Sequence, residues 1–234
     1  MTAHIIPMRL ESFDALPEHA RRCVFWEVDP AGGGTLSDPE FEKEAWLSMV
    51  MLEWGCCGQL VGPADEDHPE LMPTEATGYA FYAPPRAVPR ARRFPTGPVS
   101  PDAVLLTSVH GESADITAEL IAAVVKDLIR RGVRALEAFG RTAALGELAD
   151  PRILTESLKH AVQSVGECSM GDCMLDAELL IANGFVVVAP HPYFPRLRLE
   201  LDKGLSWKAG VEAALEQLLE NARLEQPVGL VAGA

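Results

Sequence analysis

The stretch from Ala103 to Phe139 constrains the fold more than any other part of the chain. Ala103 to Val109 opens on an almost unbroken apolar run and reads as a strand. From Ser113 to Arg131, the residues Ile116, Leu120, Ile121, Val124, Val125 and Leu128 recur at helical spacing and form one apolar stripe. Ser113 is placed to cap that helix, and Gly132 to close it. Val133 to Phe139 then returns to a strand pattern, ending at Gly140. A long one-faced helix set between two short strands needs a sheet to cover its stripe, so the chain is predicted to be α/β.

The flanking segments extend the same alternation. Ile5 to Leu10 is predicted as a first strand and Glu11 to Arg22 as a helix containing Pro17. Cys23 to Val28 reads as a strand or a buried connector. Pro39 to Trp54 is a helix whose Phe41, Ala45, Leu47, Val50, Met51 and Trp54 fall near a 3.6 period, with Gly55 as its stop. Gln59 to Val61 and the aromatic Gly78 to Ala83 are predicted strands. Pro84 to Pro101 has too many prolines for a central strand. A helix at Pro151 to Val165 falls inside an insertion at 141–172. Asp176 to Ala182 is a helix, Phe185 to Val188 and Arg196 to Leu201 are strands, and Trp207 to Leu224 is a last helix. There is no internal repeat, and a single domain over 1–234 is expected.

Charge narrows the function. Thirty-four acidic against 20 basic side chains leave a net charge of −14, which speaks against phosphate-backbone binding and anionic membranes. No apolar run reaches the length of a spanning helix, and the first residues lack a basic leader region, so a cytoplasmic protein is expected. Five cysteines are an odd number, and free thiols are the default in a reducing compartment.

Several segments carry a family resemblance: Cys23-Val-Phe-Trp-Glu27, Lys43-Glu-Ala-Trp46, Tyr82-Ala-Pro-Pro85, Pro98-Val-Ser-Pro-Asp-Ala103, Glu137-Ala-Phe-Gly140, His191-Pro192 with Pro195 to Leu201, and Ser206-Trp-Lys208. Together with the element order, they make the chain resemble the GNAT-type N-acetyltransferase superfamily, and within it a group of actinobacterial GNAT-like proteins. The resemblance implies a mixed, mostly antiparallel α/β (α+β) sheet of about six to seven strands flanked by helices. It implies acetyl-CoA along the splayed strand backbone of Leu106, Thr107, Ser108 and Val109. The pyrophosphate would sit on the following helix N-terminus, near Ser113, Ala114 and Thr117. Main-chain N–H groups and the helix dipole make such a terminus an anion seat.

Two departures from the family pattern follow from the residues. The loop His110-Gly-Glu-Ser-Ala-Asp115 holds one glycine and no Arg or Gln at the first motif position, and Glu112, Asp115 and Glu119 bring carboxylates. One carboxylate about 6 Å from a phosphate charge costs on the order of 1–3 kcal/mol at an effective dielectric of ~20–40. The family's frequent general acid, a tyrosine, aligns with Leu180, which cannot donate a proton.

The candidate chemistry-bearing residues are Glu27, to orient or deprotonate an amine, His110, as a base if it faces the splay, and Cys173, as a nucleophile or soft-metal ligand. Each has a plain structural alternative: a hydrogen bond, a solvent-facing ring, a packing thiol. Cys56, Cys57, Cys168 and Cys173 form an alternative metal set, although their spacings match no standard zinc pattern. Arg86, Arg90, Arg92 and Arg93 either meet an anion or form a solvated loop offset by acids, and His191 has a turn role. The tryptophans at 26, 46 and 54 read as core. Three functions stay open: acyl-CoA-dependent acylation of a small-molecule or peptide amine, a binding or regulatory module that has lost the coenzyme, and a thiol-based site. No nucleic acid or membrane partner is expected, and a homodimer is left open.

Overall fold

A computed structural model describes residues 4–29, 38–63, 73, 75–144 and 173–201. The helices expected at Pro151 to Val165 and Trp207 to Leu224, together with Cys168 and Ser206 to Lys208, lie outside the described residues.

The described elements are β1 (His4–Pro7), a 3₁₀ turn (Leu10–Ala15), α1 (Glu18–Arg22), α2 (Pro39–Trp54), β2 (Gly58–Gly62), β3 (Gly78–Ala83), β4 (Ala103–His110), α3 (Ala114–Arg130), β5 (Ala135–Arg141), β6 (Leu175–Asp176), α4 (Ala177–Ala182), β7 (Val186–Ala189) and β8 (Arg196–Glu200). They build an eight-stranded sheet in the order β1-β2-β3-β4-β5-β8-β7, with β6 pairing β5 off this path. Pairing is antiparallel except between β4 and β5 and between β5 and β6. The mixed, mostly antiparallel sheet flanked by helices is the class expected, with one strand more than the upper estimate because β6 is only two residues long.

Two apolar clusters cover the two faces. On one, Trp26, Trp46, Leu47, Val50 and Phe94 pack over Leu60, Phe81, Leu105 and Phe139. On the other, Leu120, Ile121, Val124 and Leu128 of α3 pack over Tyr82, Leu106 and Leu136. The period-2 alternation of β3 divides its aromatics, Tyr79 and Phe81 to the first face and Tyr82 to the second.

Several boundaries differ from the sequence reading, each for a local reason. Glu11 to Arg22 is two pieces, because Pro17 starts α1 afresh after the 3₁₀ turn. Cys23 to Val28 is a connector and not a strand. On α2, Phe41 and Ala45 are exposed while Lys43 is buried. The α3 terminus closes with Gly132 N–H on Ile129 and Val133 N–H on Leu128, so β5 begins two residues later than expected. Gly140 does not end that strand. A Cβ there would stand 2.9 Å from Ala177 Cβ and from Leu197 Cδ1, so glycine lets α4 lie close on β5.

Two buried polar knots fix the frame. The Tyr82 hydroxyl donates to Asp127 Oδ2 (2.9 Å) and accepts from Gln59 Nε2 (3.0 Å). Arg131 donates to Asp127 and to the carbonyls of Cys56 and Trp54, tying the end of α3 to the end of α2. On the other face, the fully buried Glu137 accepts from Ser100 N (3.1 Å), Arg196 (2.6 Å) and Arg198 (3.2 Å). Burial alone would raise the Glu137 carboxyl, but the Ser100 and Arg196 hydrogen bonds outweigh it and hold the group below its ordinary range.

Candidate functional site

A cleft opens where β4 and β5 part. Their parallel pairing covers Ala103–Leu105 against Ala135–Glu137 and stops there. On the other flank of β4, Tyr82 pairs with Leu106 and Phe81 with Ser108, so Thr107 is an extra residue, a β-bulge. A bulge bends its strand and increases the local twist, and it sits one residue beyond Leu106, the first unpaired position. The Thr107 hydroxyl donates to Phe81 O (3.1 Å) and pins the bulge to β3. Beyond Leu105 the β4 edge that turns toward β5 has no strand partner among the described residues.

The resulting cleft holds about 540 Å³. Ser108, Val109, His110 and Tyr79 form one wall, Cys173 to Asp176 with Arg141 form the other, and Pro17 and His19 lie at one end. Of the residues expected to hold a coenzyme, Ser108 and Val109 line the cleft and are half-buried. Leu106 and Thr107 are buried. Ser113 caps α3 by accepting from Ile116 N (3.2 Å), and the Thr117 hydroxyl donates back to Ser113 O (2.9 Å). Ala114 and Asp115 are exposed, and their N–H groups have no acceptor among the described residues. Gly111 packs tightly on that first turn, since a Cβ would meet Thr117 N and Oγ1 at 2.9 Å. Glu112 and Asp115 are exposed at the same end. Leu180, on α4, is fully buried in the second apolar cluster, so its position offers packing and no proton donor.

Of the three residues proposed for chemistry, His110 and Cys173 line the same cleft, and Glu27 shares with Cys173 a small cavity beside it. His110 is exposed on the cleft wall, its ring stacked on Tyr79 (centroids 5.9 Å). Glu27 is not in the large cleft. Its side chain is 3% exposed, it is paired with Lys43, whose side chain is also 3% exposed, and it accepts from Trp26 N (3.0 Å). The Lys43 ammonium lies over the Phe81 and Trp46 rings at 4.6 and 5.3 Å. Glu27 and Lys43 line a small cavity that Cys23 and Cys173 also line.

Cys173 lies on the cleft wall and carries a disulfide bond, which departs from the expectation of free thiols throughout. Cys56 and Cys57 do not join it. Cys56 Sγ donates to Gly58 O (3.0 Å), beside the Tyr82 hydroxyl, and Cys57 is fully buried, which pushes its thiol up to about 12. The proposed Cys56, Cys57, Cys168 and Cys173 set is thus not assembled among the described residues. Instead, ligand atoms of His19, Cys23 and Cys173 lie within 4.8 Å of one another. Sequence reasoning passed over His19, although His19 and Cys23 are four residues apart, the spacing that puts two side chains on one helix face. Tyr79 and Arg141 were also missed.

Three of the four clustered arginines have protein partners. Arg90 donates to Phe25 O and stacks over its ring (4.3 Å), while Arg86 and Arg93 lie near Glu53 (3.8 Å) and Asp29 (3.5 Å). Arg86, Arg90 and Arg93 thus meet protein groups. His191 Nδ1 accepts from the N–H groups of Tyr193 and Phe194, the turn role expected, and burial lowers its pKa. No helix among the described residues is long and apolar enough to cross a membrane.

No family model and no curated protein matches the sequence. Solved structures do resemble it. An N-acetyltransferase from Staphylococcus aureus Mu50 is 10% identical, with 86% of this chain and 100% of that one covered at a TM-score of 0.47. A ribosomal-protein-alanine N-acetyltransferase from Brucella melitensis is 13% identical (84% and 98% covered, TM-score 0.45). A chain of the NatC complex bound to Gag peptide and CoA is 10% identical (86% and 100% covered, TM-score 0.43). The likeness is one of fold and assigns no residue a role.

Proposed function

We propose that the cleft takes the acyl-thioester arm of a coenzyme A and passes the acyl group to the amine of a small molecule or peptide. The observation that carries this reading is the continuity of the unpaired β4 edge, Leu106 to Val109, with the exposed first-turn amides of α3. An extended arm bearing amides matches an open strand edge, as an added strand would. A diphosphate at its end would meet N–H groups at a helix terminus. The arm fits; the diphosphate seat fits less well, because Glu112 and Asp115 stand beside it and the Ser113 hydroxyl is used in its own cap.

The coenzyme, when bound, supplies an activated acyl carbonyl and a thiolate leaving group. The protein's part is positioning and charge. The N–H of Val109 polarises the carbonyl, and the walls formed by Tyr79, Val109 and Met174 hold the acyl group against it. His110, on the rim, accepts the proton the amine must lose before or during attack. Leu180 cannot supply the proton that the family's tyrosine gives, and the sulfur leaves as the thiolate. A second reading, a coenzyme-free binding module, draws on the carboxylates at the diphosphate seat.

Calorimetry with acetyl-CoA separates the two. Weak but saturable binding, with thiol release in the presence of amines, supports transfer. Absence of heat and of thermal shift at millimolar acetyl-CoA removes the transferase reading and leaves the binding module.

A further inference from the structure

The end of the cleft holds a cluster that acyl transfer does not use. His19 is on α1 and Cys23 follows its last turn, four residues on. Cys173 approaches from a segment 150 residues away, its Sγ 3.6 Å from Cys23 Sγ and 3.9 Å from His19 Nε2. A tetrahedral zinc ion with Zn–S near 2.3 Å and Zn–N near 2.0–2.1 Å sets two sulfurs about 3.8 Å apart and sulfur and nitrogen about 3.6 Å apart. Cys173 Sγ therefore stands within a few tenths of an ångström of the spacing one ion requires from each of the other two atoms, and all three lie within 4.8 Å of one another.

The surroundings point the same way. His19 and Cys173 line both the open cleft and a small cavity of about 20 Å³, which Cys23 and Trp26 also line. That is room for about one water-sized guest. The indole N–H of Trp26, a side chain only 4% exposed, is without a hydrogen-bond partner among the described residues. Trp26 lines the same small cavity as the cluster, so a buried unsatisfied donor belongs to a residue at its wall. Two thiolates and a neutral imidazole balance the charge of a divalent cation, so the occupied site adds no net charge to a half-buried place.

We propose that His19, Cys23 and Cys173 bind one Zn²⁺, with a fourth position facing the cleft, when Cys173 is in its thiol form. The inference does not depend on the acyl-transfer reading. The chemistry makes the site redox-gated. A dithiol reductant attacks the Cys173 disulfide and leaves as its own disulfide, giving two electrons and two protons to the protein sulfurs. Zn²⁺ then displaces one proton each from Cys23 and Cys173 and takes the neutral His19 nitrogen. Re-oxidation of Cys173 removes a ligand and releases the ion.

The test uses the full chain, reduced under anaerobic conditions and titrated with Co²⁺ and then Zn²⁺. Expected are one equivalent of Co²⁺, thiolate-to-cobalt charge-transfer absorption with tetrahedral visible bands, and their bleaching by Zn²⁺. Cys23→Ser and His19→Ala should each weaken binding at least about tenfold, while Cys56→Ser leaves it unchanged. The unreduced chain should give no charge-transfer band. If the reduced wild-type chain binds neither metal, or if the band survives unaltered in both Cys23→Ser and His19→Ala, the site as assigned is wrong. An equally strong band in the unreduced chain overturns the gating. The wild-type spectrum decides the main point even if a variant fails to fold.

Discussion

Lys43→Met tests whether the Glu27–Lys43 pair acts as a buried couple. Both side chains are 3% exposed, so screening by solvent is negligible, and removing the ammonium strips the carboxylate of its direct partner and leaves the half-buried Arg90 guanidinium as its remaining nearby positive charge. Breaking such a pair costs about 3–5 kcal/mol. Loss of the ammonium over Phe81 and Trp46 adds on the order of 0.5–2 kcal/mol, while the methionine keeps most of the apolar stem. In a chain of this size each kcal/mol moves Tm by about 2–4 °C, which predicts a fall of at least about 6 °C. Glu27→Gln combined with Lys43→Met should recover most of that loss, because the glutamine oxygen still accepts from Trp26 N and no charge remains buried. Urea unfolding in reducing buffer, followed by tryptophan fluorescence, gives the full double-mutant cycle. A cost below about 1 kcal/mol for Lys43→Met, or strict additivity of the two substitutions, would refute the reasoning.

Glu137→Gln should destabilise the chain by about 3–5 kcal/mol, since Arg196 and Arg198 lose their shared buried carboxylate. Because the folded-state carboxyl is held below its ordinary range, its contribution is present above the unfolded-state pKa, near 4.3, and is lost as pH falls through the lower folded value; the variant should show a flatter acid limb in thermal denaturation. Glu112→Gln with Asp115→Asn should raise acetyl-CoA affinity at least about tenfold at low salt, measured by calorimetry, as two carboxylates leave the diphosphate seat. Gly111→Val forces its Cβ into Thr117 N and Oγ1 at 2.9 Å; a loss of about 1–3 kcal/mol in chemical denaturation is expected, together with weaker coenzyme binding.

The extents of α2 and α3 could be read almost to the residue because local chemistry marks their ends. Asp38 accepts from Phe41 N and Pro39 opens α2, Gly55 at φ +100° closes it, and Ser113 and Gly132 do the same for α3. What lay hidden depends on partners far along the chain. Lys43 reads as a surface residue until Glu27, sixteen residues earlier, folds beside it. The His19 and Cys23 spacing was in plain view, but nothing local says that Cys173 completes the group. The cleft was half legible: the pattern of Ala103 to Val109 marks the strand, and its open edge came only as what the family resemblance implies. The bulge at Thr107 and the two-residue β6 leave no periodic trace, and Gly140 reads as a terminator because its close packing against Ala177 is a tertiary fact.

The brief strand β6 gives the cleft an asymmetry. It takes up Gly140 and Arg141, the stretch of β5 that β4 abandons, so one lip is already satisfied by its own chain while, among the described residues, the opposite lip stays hungry for hydrogen bonds. A guest can be gripped by main-chain groups on a single side and must present its polar edge there, which fixes which way round it enters before any side chain is consulted.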